Sequence, residues 1–309
     1  MDNYFSPENI QKASNANLDV LADYDACGFL LGANETAENF AKRLQNFYQH
    51  LQKHENALEK NGKDEIEDGI TVTLENKISK NYFHKVSNKT WNLYRFKIDW
   101  IPGFFKRYSF FEPSGGFTLL PEKPQEDFFV IFVLRQSFKT NQRWYIWNRD
   151  ILLAHELCHV ARLALMSDEF EETFAYQTST SVLQKTMGKT LGRQFEAAMF
   201  LGVVLILLLG QILRTYCFPS IPIWPFWSLV GLVFAWLLIR HAFHCRRLAK
   251  AQRHIAELFG KENALPVLFR CTDEELHRFA STQPQPLKSW IEEQTSMRWQ
   301  IIRKRFPLK

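Results

Sequence analysis

Apolar residues recur at helical spacing along the first sixty residues of the chain. The longest such face predicts an amphipathic helix that begins near Asn34 or Thr36 and ends at Asn61-Gly62. An earlier helix is predicted from Ser6-Pro7, an N-cap followed by proline at the first helical position. Residues 1–66 are therefore predicted to form an N-terminal helical segment. The apolar face of the longer helix comprises Phe40, Leu44, Phe47, Leu51 and Leu58.

The pattern changes to a strand-like period between Ile70 and Leu134. Alternating apolar residues from Tyr94 to Trp100 predict a half-buried strand, and turn signals follow at Pro102-Gly103. Phe128 to Leu134 is a continuous apolar run, which is typical of a central strand. These runs predict a small sheet within residues 67–196.

A stretch that is apolar on almost every side, from Asp150 to Met166, predicts a helix buried in a core. A second helix is expected from about Asp168. The hydrophilic side chains within the first helix are His155, Glu156, His159 and Arg162.

Two long runs without a charged residue follow this region. Ala197 to Leu213 covers 17 residues and Thr215 to Ile239 covers 25, and a helix of about 20 apolar residues spans a bilayer. The short connector contains prolines, so the second helix is expected to begin near Trp224. We predict a transmembrane hairpin at 197–239. The alternative is a hydrophobic hairpin buried in a soluble core.

Basic residues are concentrated on one side of the predicted hairpin. The connector contains only Arg214, and the positive-inside rule therefore places both termini and the catalytic region on the cytoplasmic side. The polar segment from Met1 to Asn17 indicates no signal peptide. The flanking basic residues are Lys185, Lys189 and Arg193 before the hairpin, and Arg240, Arg246, Arg247, Lys250 and Arg253 after it.

The remaining segment, 240–309, is predicted to be a basic helical tail. Thr272 begins a capping box, and Gln283-Pro284-Gln285-Pro286 is interpreted as a linker. Trp290 to Arg305 is predicted to be an amphipathic helix that either lies on an anionic membrane surface or packs on the enzyme domain.

Composition narrows the class of protein only moderately. Apolar residues make up 46% of the chain, which suffices for a buried core, and the formal charge of +5 is mild for 309 residues. Five widely spaced cysteines without a C-x-x-C pair argue against a disulfide framework and favour a reducing compartment. The chain contains neither a glycine-rich phosphate loop nor a basic-aromatic groove, so no nucleic-acid partner is predicted.

The chemistry is predicted at His155-Glu156-Leu157-Cys158-His159, an H-E-x-x-H motif. Residues four apart return to nearly the same face of a helix, so His155 and His159 can hold one zinc ion. Glu156 points about a hundred degrees round the helix and can act as the general base on the activated water. Cys158 is interpreted as a small packing residue.

A catalytic zinc ion usually has a third protein ligand. Asp168, Glu169, Glu171 and Glu172 are the candidates, because they follow the motif on the next predicted helix. Helix capping and the helix dipole account for Asp168 and Glu169, and they account less well for the other two. Periodicity alone does not choose between these glutamates.

An H-E-x-x-H helix followed by a helix with a glutamate ligand resembles the gluzincin metallopeptidases. Glu172-Thr173-Phe174-Ala175 is similar to the E-x-x-A context of several of their families, and the resemblance extends over about Phe128 to Tyr176. It implies that Glu172 is the third zinc ligand, with Glu171 as the alternate. Together with the periodicity along the rest of the chain, this predicts an α+β fold in which a small mixed sheet packs on the H-E-x-x-H helix and the glutamate-bearing helix, followed by the transmembrane hairpin and the helical tail.

The sequence therefore predicts a membrane-anchored zinc metallopeptidase that hydrolyses a protein or peptide substrate beside a lipid bilayer. Phe128–Leu134 or Arg143–Trp147 is expected to supply an edge strand on which an extended substrate pairs. Tyr176 and His84 are the candidates for stabilising the oxyanion. One rival hypothesis is a non-catalytic membrane scaffold or sensor with a structural or vestigial metal site. A second is a metal-free helical membrane adaptor.

Other histidines are predicted to have ordinary roles. His50 and His54 are expected on the solvated face of a polar helix. His241, His244 and Cys245 are interpreted as part of the basic flank beside the membrane.

Overall fold

The computed structural model describes residues 4–66, 69–107, 115–119, 121, 129–145, 147–181, 185 and 194–309. Within these ranges the chain has the predicted mixed α+β composition, with many helices and small sheets. The helices are α1 (Pro7–Ser14), α2 (Leu18–Ala26), α3 (Ala37–Asn61), α4 (Lys80–Tyr94), α5 (Arg149–Arg162), α6 (Glu171–Ala175), α7 (Gln194–Tyr216), α8 (Trp224–Phe259), α9 (Lys261–Phe269), α10 (Asp273–Ser281), α11 (Pro284–Glu292) and α12 (Met297–Arg305). The strands are β1 (Lys63–Ile66), β2 (Ile70–Thr73), β3 (Gly103–Lys106), β4 (Gly116–Leu119), β5 (Ile131–Arg135), β6 (Arg143–Trp144) and β7 (Trp147–Asn148).

The largest sheet in the described part of the chain has the strand order β3-β5-β4. β5 is parallel to β3 and antiparallel to β4, and its Val133 lies opposite both Phe104 and Phe117. A strand that is paired on both sides and buried on both faces requires a continuous apolar run. The predicted central strand is thus confirmed for Ile131–Leu134, while Phe128 lies outside the described residues.

The N-terminal helices begin and end where the sequence predicts. The Ser6 hydroxyl accepts a hydrogen bond from the backbone N–H of Asn9, and Thr36 caps α3 in the same way. Gly62 ends α3 with a φ of 71°, a left-handed conformation that suits glycine.

The prediction that His54 is solvated surface is wrong. Its side chain is buried, with its Nδ1 atom 2.5 Å from the Asp64 Oδ2 atom and its ring against Phe104. The β1–β2 hairpin folds back beside the end of α3 and supplies the acidic partner. His50 is exposed, as expected.

The predicted strand from Tyr94 to Trp100 is also wrong. Tyr94 is the last residue of α4, and the segment that follows is extended but pairs with no strand of the described chain. Its alternation is real, because Phe96, Ile98 and Trp100 are fully buried. Side chains of α4 replace a neighbouring strand as partners: the Ser87 hydroxyl donates to the Ile98 carbonyl, and Thr90 donates to the Phe96 carbonyl.

The predicted core helix is α5, and it lies at the centre of the molecule. The Asn148 side chain caps its first turn, accepting from the backbone N–H groups of Asp150 and Ile151. Leu153, Leu157 and Val160 are buried in the main core, as the apolar pattern requires. The following helix, α6, begins at Glu171 rather than near Asp168.

Helices α7 and α8 pair as a hairpin, and both are long and apolar enough to cross a membrane. Only 22% and 6% of their most apolar windows are buried, which is unlike the core helix of a soluble protein. The Gly210 backbone lies close to the Phe226 ring, so the two helices approach each other closely. α8 continues past Ile239 without a break and ends only at Phe259.

The C-terminal helices pack on the N-terminal and central parts of the chain, in one continuous core. The buried Arg270 donates to the Asp25 carboxylate at 2.8 Å and to the Tyr94 carbonyl, and Arg305 also pairs with Asp25. The last helix begins at Met297 rather than at Trp290, which belongs to α11. Of the two alternatives for the last helix, packing on the protein is the one observed, because Trp299 and Ile302 are buried.

The predicted linker at 283–286 is wrong, since α11 begins at Pro284 with Gln283 as its N-cap. Proline has no N–H to contribute in the first turn of a helix and therefore suits this position. The capping box at Thr272 is confirmed: its hydroxyl accepts from the Glu275 backbone, and the Glu275 carboxylate accepts from the Thr272 N–H.

Candidate metal centre

Three potential metal ligands converge where α5 meets α6. The Nε2 atoms of His155 and His159 are 3.1 Å apart. One carboxylate oxygen of Glu172 lies 3.5 Å from the His155 Nε2 atom, and the other lies 3.6 Å from the His159 Nε2 atom. Among the described residues, these three form the group of side chains able to hold a metal ion.

The spacing of these atoms fits a tetrahedral ion. Zinc binds imidazole nitrogen and carboxylate oxygen at about 2.0–2.2 Å, so two ligand atoms of a regular tetrahedral site lie about 3.3–3.5 Å apart. The nearest-atom separations of 3.1, 3.5 and 3.6 Å are close to that edge length, with the two distances to Glu172 taken from its two different oxygens. If these three residues held a zinc ion, the ion would have room for one further ligand, such as water or a substrate oxygen.

Glu171 lies behind this group rather than in it. One of its oxygens is 3.1 Å from the Nδ1 atom of His159, and the other accepts a 2.7 Å hydrogen bond from Arg162. A carboxylate on Nδ1 fixes the ring tautomer and leaves Nε2 as the ligand atom. The geometry therefore favours Glu172 as the third ligand and gives Glu171 a supporting position.

Arg162 connects this support to the C-terminal helices. Its side chain is buried and donates to the Ser167 hydroxyl at 2.7 Å and to the backbone carbonyls of Phe269 and Cys271. The aromatic ring of Phe174 packs on its guanidinium group. The position of Glu171 thus depends on Arg162, which is itself held by residues 107 and 109 positions further along the chain.

Glu156 lies beside the three ligand residues on the face of α5 turned toward β4. Its Oε2 atom accepts a 2.5 Å hydrogen bond from the Thr118 hydroxyl. Burial raises the pKa of Glu156, while the charge of His159 and the Thr118 hydrogen bond lower it in part. A carboxylate with a raised pKa is better suited to accept a proton near neutral pH.

A cavity of about 210 Å³ opens beside His155 and Glu156. Tyr176 contributes to its wall, with its ring 4.5 Å from the His155 ring. Burial and the nearby Glu172 and Glu156 raise the pKa of Tyr176 to about 12, so its hydroxyl keeps its proton and can donate a hydrogen bond. The other residues that line the cavity are Gly115, Gly116, Trp147, Asn148, Ile151, Leu152, Thr178 and Ser179.

The two histidines differ in their protonation. Burial and the charge of His159 lower the pKa of His155 to about 3, so this ring is neutral at physiological pH. Burial alone would lower the pKa of His159 as well, but the hydrogen bond and the charge of Glu171 raise it to about 9. A metal ion that takes the His159 Nε2 atom must therefore displace a proton at neutral pH.

The remaining predicted site residues are placed elsewhere. Asp168 and Glu169 offer their backbone N–H groups to the Asp273 carboxylate, both at 2.9 Å. His84 is exposed on α4 and is not part of the cavity wall, so it is not placed to stabilise an oxyanion. Cys158 is fully buried, as expected of a packing residue.

Neither of the two segments predicted to supply an edge strand for the substrate does so. Phe128–Leu134 was expected at a sheet edge, but β5 is paired on both sides and offers no free edge. Arg143–Trp147 forms a tight hairpin instead of a strand, because Tyr145 adopts a left-handed φ of 53° between β6 and β7. β4 is the strand of the sheet that faces Glu156.

Sequence reasoning missed Thr118, and it did not give Arg162 its role. Thr118 is 38 residues from Glu156, and no local pattern connects them. The only signal for Arg162 was its charge on an otherwise apolar helix, where a buried guanidinium requires partners.

Comparisons of the chain with protein-family models, with curated proteins and with solved structures found no significant match.

Proposed function

We propose that the protein is a zinc-dependent peptidase in which His155, His159 and Glu172 hold the metal and Glu156 is the general base. One observation supports this most strongly. The two histidine Nε2 atoms are 3.1 Å apart, each lies within 3.6 Å of an oxygen of the Glu172 carboxylate, and Glu156 lines a cavity together with His155. This arrangement matches the needs of hydrolysis, which requires an open metal position and an adjacent base.

A bound zinc ion polarises a carbonyl group and lowers the pKa of a water molecule to about 7. Glu156 takes a proton from the attacking water and later transfers it to the leaving nitrogen, so that one water and one amide give a carboxylic acid and an amine. Thr118 holds the Oε2 atom of Glu156, and we assign the Oε1 atom to this proton transfer.

Tyr176 is the group we assign to the developing negative charge on the substrate carbonyl oxygen. Its raised pKa keeps the phenol protonated, and its ring borders both His155 and the cavity. A hydrogen bond that strengthens as the charge develops lowers the barrier. The apolar side chains of Trp147, Ile151 and Leu152 line the cavity and suit an apolar substrate side chain.

We further propose that α7 and α8 anchor this enzyme in a bilayer, with both termini and the catalytic region in the cytoplasm. Support comes from the low burial of the two apolar helices and from the basic residues that precede the first apolar run and follow the second. Arg214 is the one basic residue between the two apolar runs.

Cleavage of denatured casein by the detergent-purified protein tests the peptidase proposal. The Glu156→Gln variant is expected to keep its zinc and to lose activity by a factor of about 10² or more, because only the base is removed. His84→Ala, an exposed histidine outside the site, is the matched control and should behave like the wild type.

Three results would contradict the proposal. Full activity in Glu156→Gln would exclude this residue as the base. Tight zinc binding without turnover would favour a scaffold with a vestigial metal site, and absence of zinc would favour a metal-free adaptor.

A further inference from the structure

The position of the candidate metal centre relative to the apolar hairpin is defined by contacts. Glu196 in α7 and Arg240 in α8 form an ion pair. They are the charged residues that border the two apolar runs on this side, so the pair marks where the hairpin would leave the hydrocarbon region of a bilayer.

The segment that leads into α6 docks on α8 just beyond that boundary. One carboxylate oxygen of Glu169 lies 2.9 Å from the His244 Nδ1 atom and 3.7 Å from Arg247, and the other lies 2.9 Å from the His277 Nε2 atom. Phe170 packs its ring against both histidines. The loop before the metal ligands is thus held between α8 and α10.

The Asp273 carboxylate stiffens the same loop. It accepts hydrogen bonds from the Ser167 hydroxyl and from the backbone N–H groups of Asp168 and Glu169. Since α8 runs unbroken from the apolar segment to Phe259, the loop is attached to a continuous helix rather than to a flexible tether. These contacts therefore fix the distance between the metal ligands and the bilayer boundary marked by Glu196 and Arg240.

The distance from the metal centre to the bilayer boundary is short. His244 follows Arg240 by four residues, or about 6 Å along a helix. Glu172 follows Glu169 by three residues, which span at most about 10 Å. Allowing for side-chain lengths, the metal centre lies on the order of 10–20 Å from the bilayer boundary. An extended chain covers about 3.3 Å per residue, so this distance corresponds to about 3–6 residues.

We infer that the substrates are membrane-anchored polypeptides cut within about ten residues of their transmembrane segment. The inference rests on the proposed peptidase function and on the proposed membrane anchor. A centre held this close to the bilayer is accessible to an extended juxtamembrane chain. The apolar wall of the cavity also suits the side chains that adjoin a transmembrane helix.

The test compares the positions of the cut sites as well as the cleavage rates, because anchoring any substrate in the same bilayer raises its effective concentration and hence its rate of cleavage. A casein segment is fused to a single transmembrane helix through a flexible spacer of about 5 or about 40 residues. The full-length enzyme and either fusion are reconstituted together in vesicles, and the cut sites are mapped by mass spectrometry. Soluble casein is added to separate vesicles that hold only the enzyme.

We expect the short-spacer fusion to be cut at least about tenfold faster than the long-spacer fusion, at sites near the membrane. Cleavage of the long-spacer fusion with no cleavage of the short one would place the site far from the bilayer and overturn the inference alone. Cleavage of neither fusion nor of soluble casein would overturn the peptidase proposal and the inference with it.

A pair of variants tests the docking contact itself. His244→Ala removes a partner of Glu169 and is expected to broaden the distribution of cut sites on the long-spacer fusion. Arg246→Ala, an exposed charge two residues further on, is the matched control and should leave the distribution unchanged. An unchanged distribution in His244→Ala would show that this contact does not hold the site near the membrane.

Discussion

Removing Glu171 and removing Glu172 are expected to have different effects on stability and on zinc binding, although the residues are adjacent. Glu172 pairs with His155 and His159, and about a third of its side chain is exposed. Glu171 instead pairs with the buried Arg162 and with the Nδ1 atom of His159. The first is a ligand in our assignment, and the second is a support.

The magnitudes follow from these contacts. In Glu171→Ala the guanidinium of Arg162 stays buried without its counter-charge, which costs about 3–5 kcal/mol of unfolding free energy. Losing a partner behind a metal ligand weakens zinc binding by about 10–100-fold. In Glu172→Ala a ligand itself is lost, so zinc affinity falls further. The metal-free form should be about as stable as the wild type, because burial raises the pKa of Glu172, and the attraction of His159, which lowers it, is opposed by the like charges of Glu156 and Glu171.

Two assays separate the variants. Denaturant unfolding of the metal-free proteins in detergent measures stability, and competition with a chromophoric chelator measures zinc affinity. The reasoning is refuted if Glu171→Ala loses zinc more completely than Glu172→Ala while its unfolding midpoint is unchanged. That outcome would make Glu171 the ligand.

Three further predictions concern proton linkage and buried contacts. The pKa of metal-free His159 is raised to about 9, so this residue must lose a proton before it binds zinc. Zinc affinity should therefore increase about tenfold per pH unit between about pH 7 and 9. Calorimetry that detects no proton release on zinc binding at pH 7 would contradict this prediction. Thr118→Val removes a hydrogen bond that lowers the pKa of Glu156, so the acid limb of the kcat/KM profile should move to higher pH; an unmoved limb would argue against Glu156 as the base. Arg270→Met leaves Asp25 without one of its buried partners and should cost about 3–5 kcal/mol in denaturant unfolding, whereas an unchanged midpoint would exclude a stabilising role for this pair.

Local signals in the sequence predicted local structure well. The caps at Ser6, Thr36 and Thr272 and the end at Gly62 are each decided by a few neighbouring residues, and the structure has all of them. The apolar pattern also located the core helix α5 and the start of α8 at Trp224. Two histidines four residues apart on one helix were enough to predict that their rings meet.

Contacts between distant residues were the part that the sequence could not supply. Apolar residues alternate from Tyr94 to Trp100 as they do in a strand, but the hydrogen-bond partners of this segment are hydroxyl groups of α4. The alternation alone therefore predicted a strand that is not formed. His54 is buried because a hairpin beyond the end of its helix supplies Asp64. The choice of Glu172 over Glu171 depends on Arg162, whose own position is set by carbonyl groups near residue 270.

The central claim is that His155, His159 and Glu172 hold one zinc ion. Its most direct test is the zinc content of the detergent-purified full-length protein, measured by elemental analysis beside His155→Ala, Glu172→Ala and the control His84→Ala. The account predicts about one zinc per chain in the wild type and the control, and loss of zinc in the other two variants. A wild-type protein that holds no zinc even after reconstitution with the metal would contradict it.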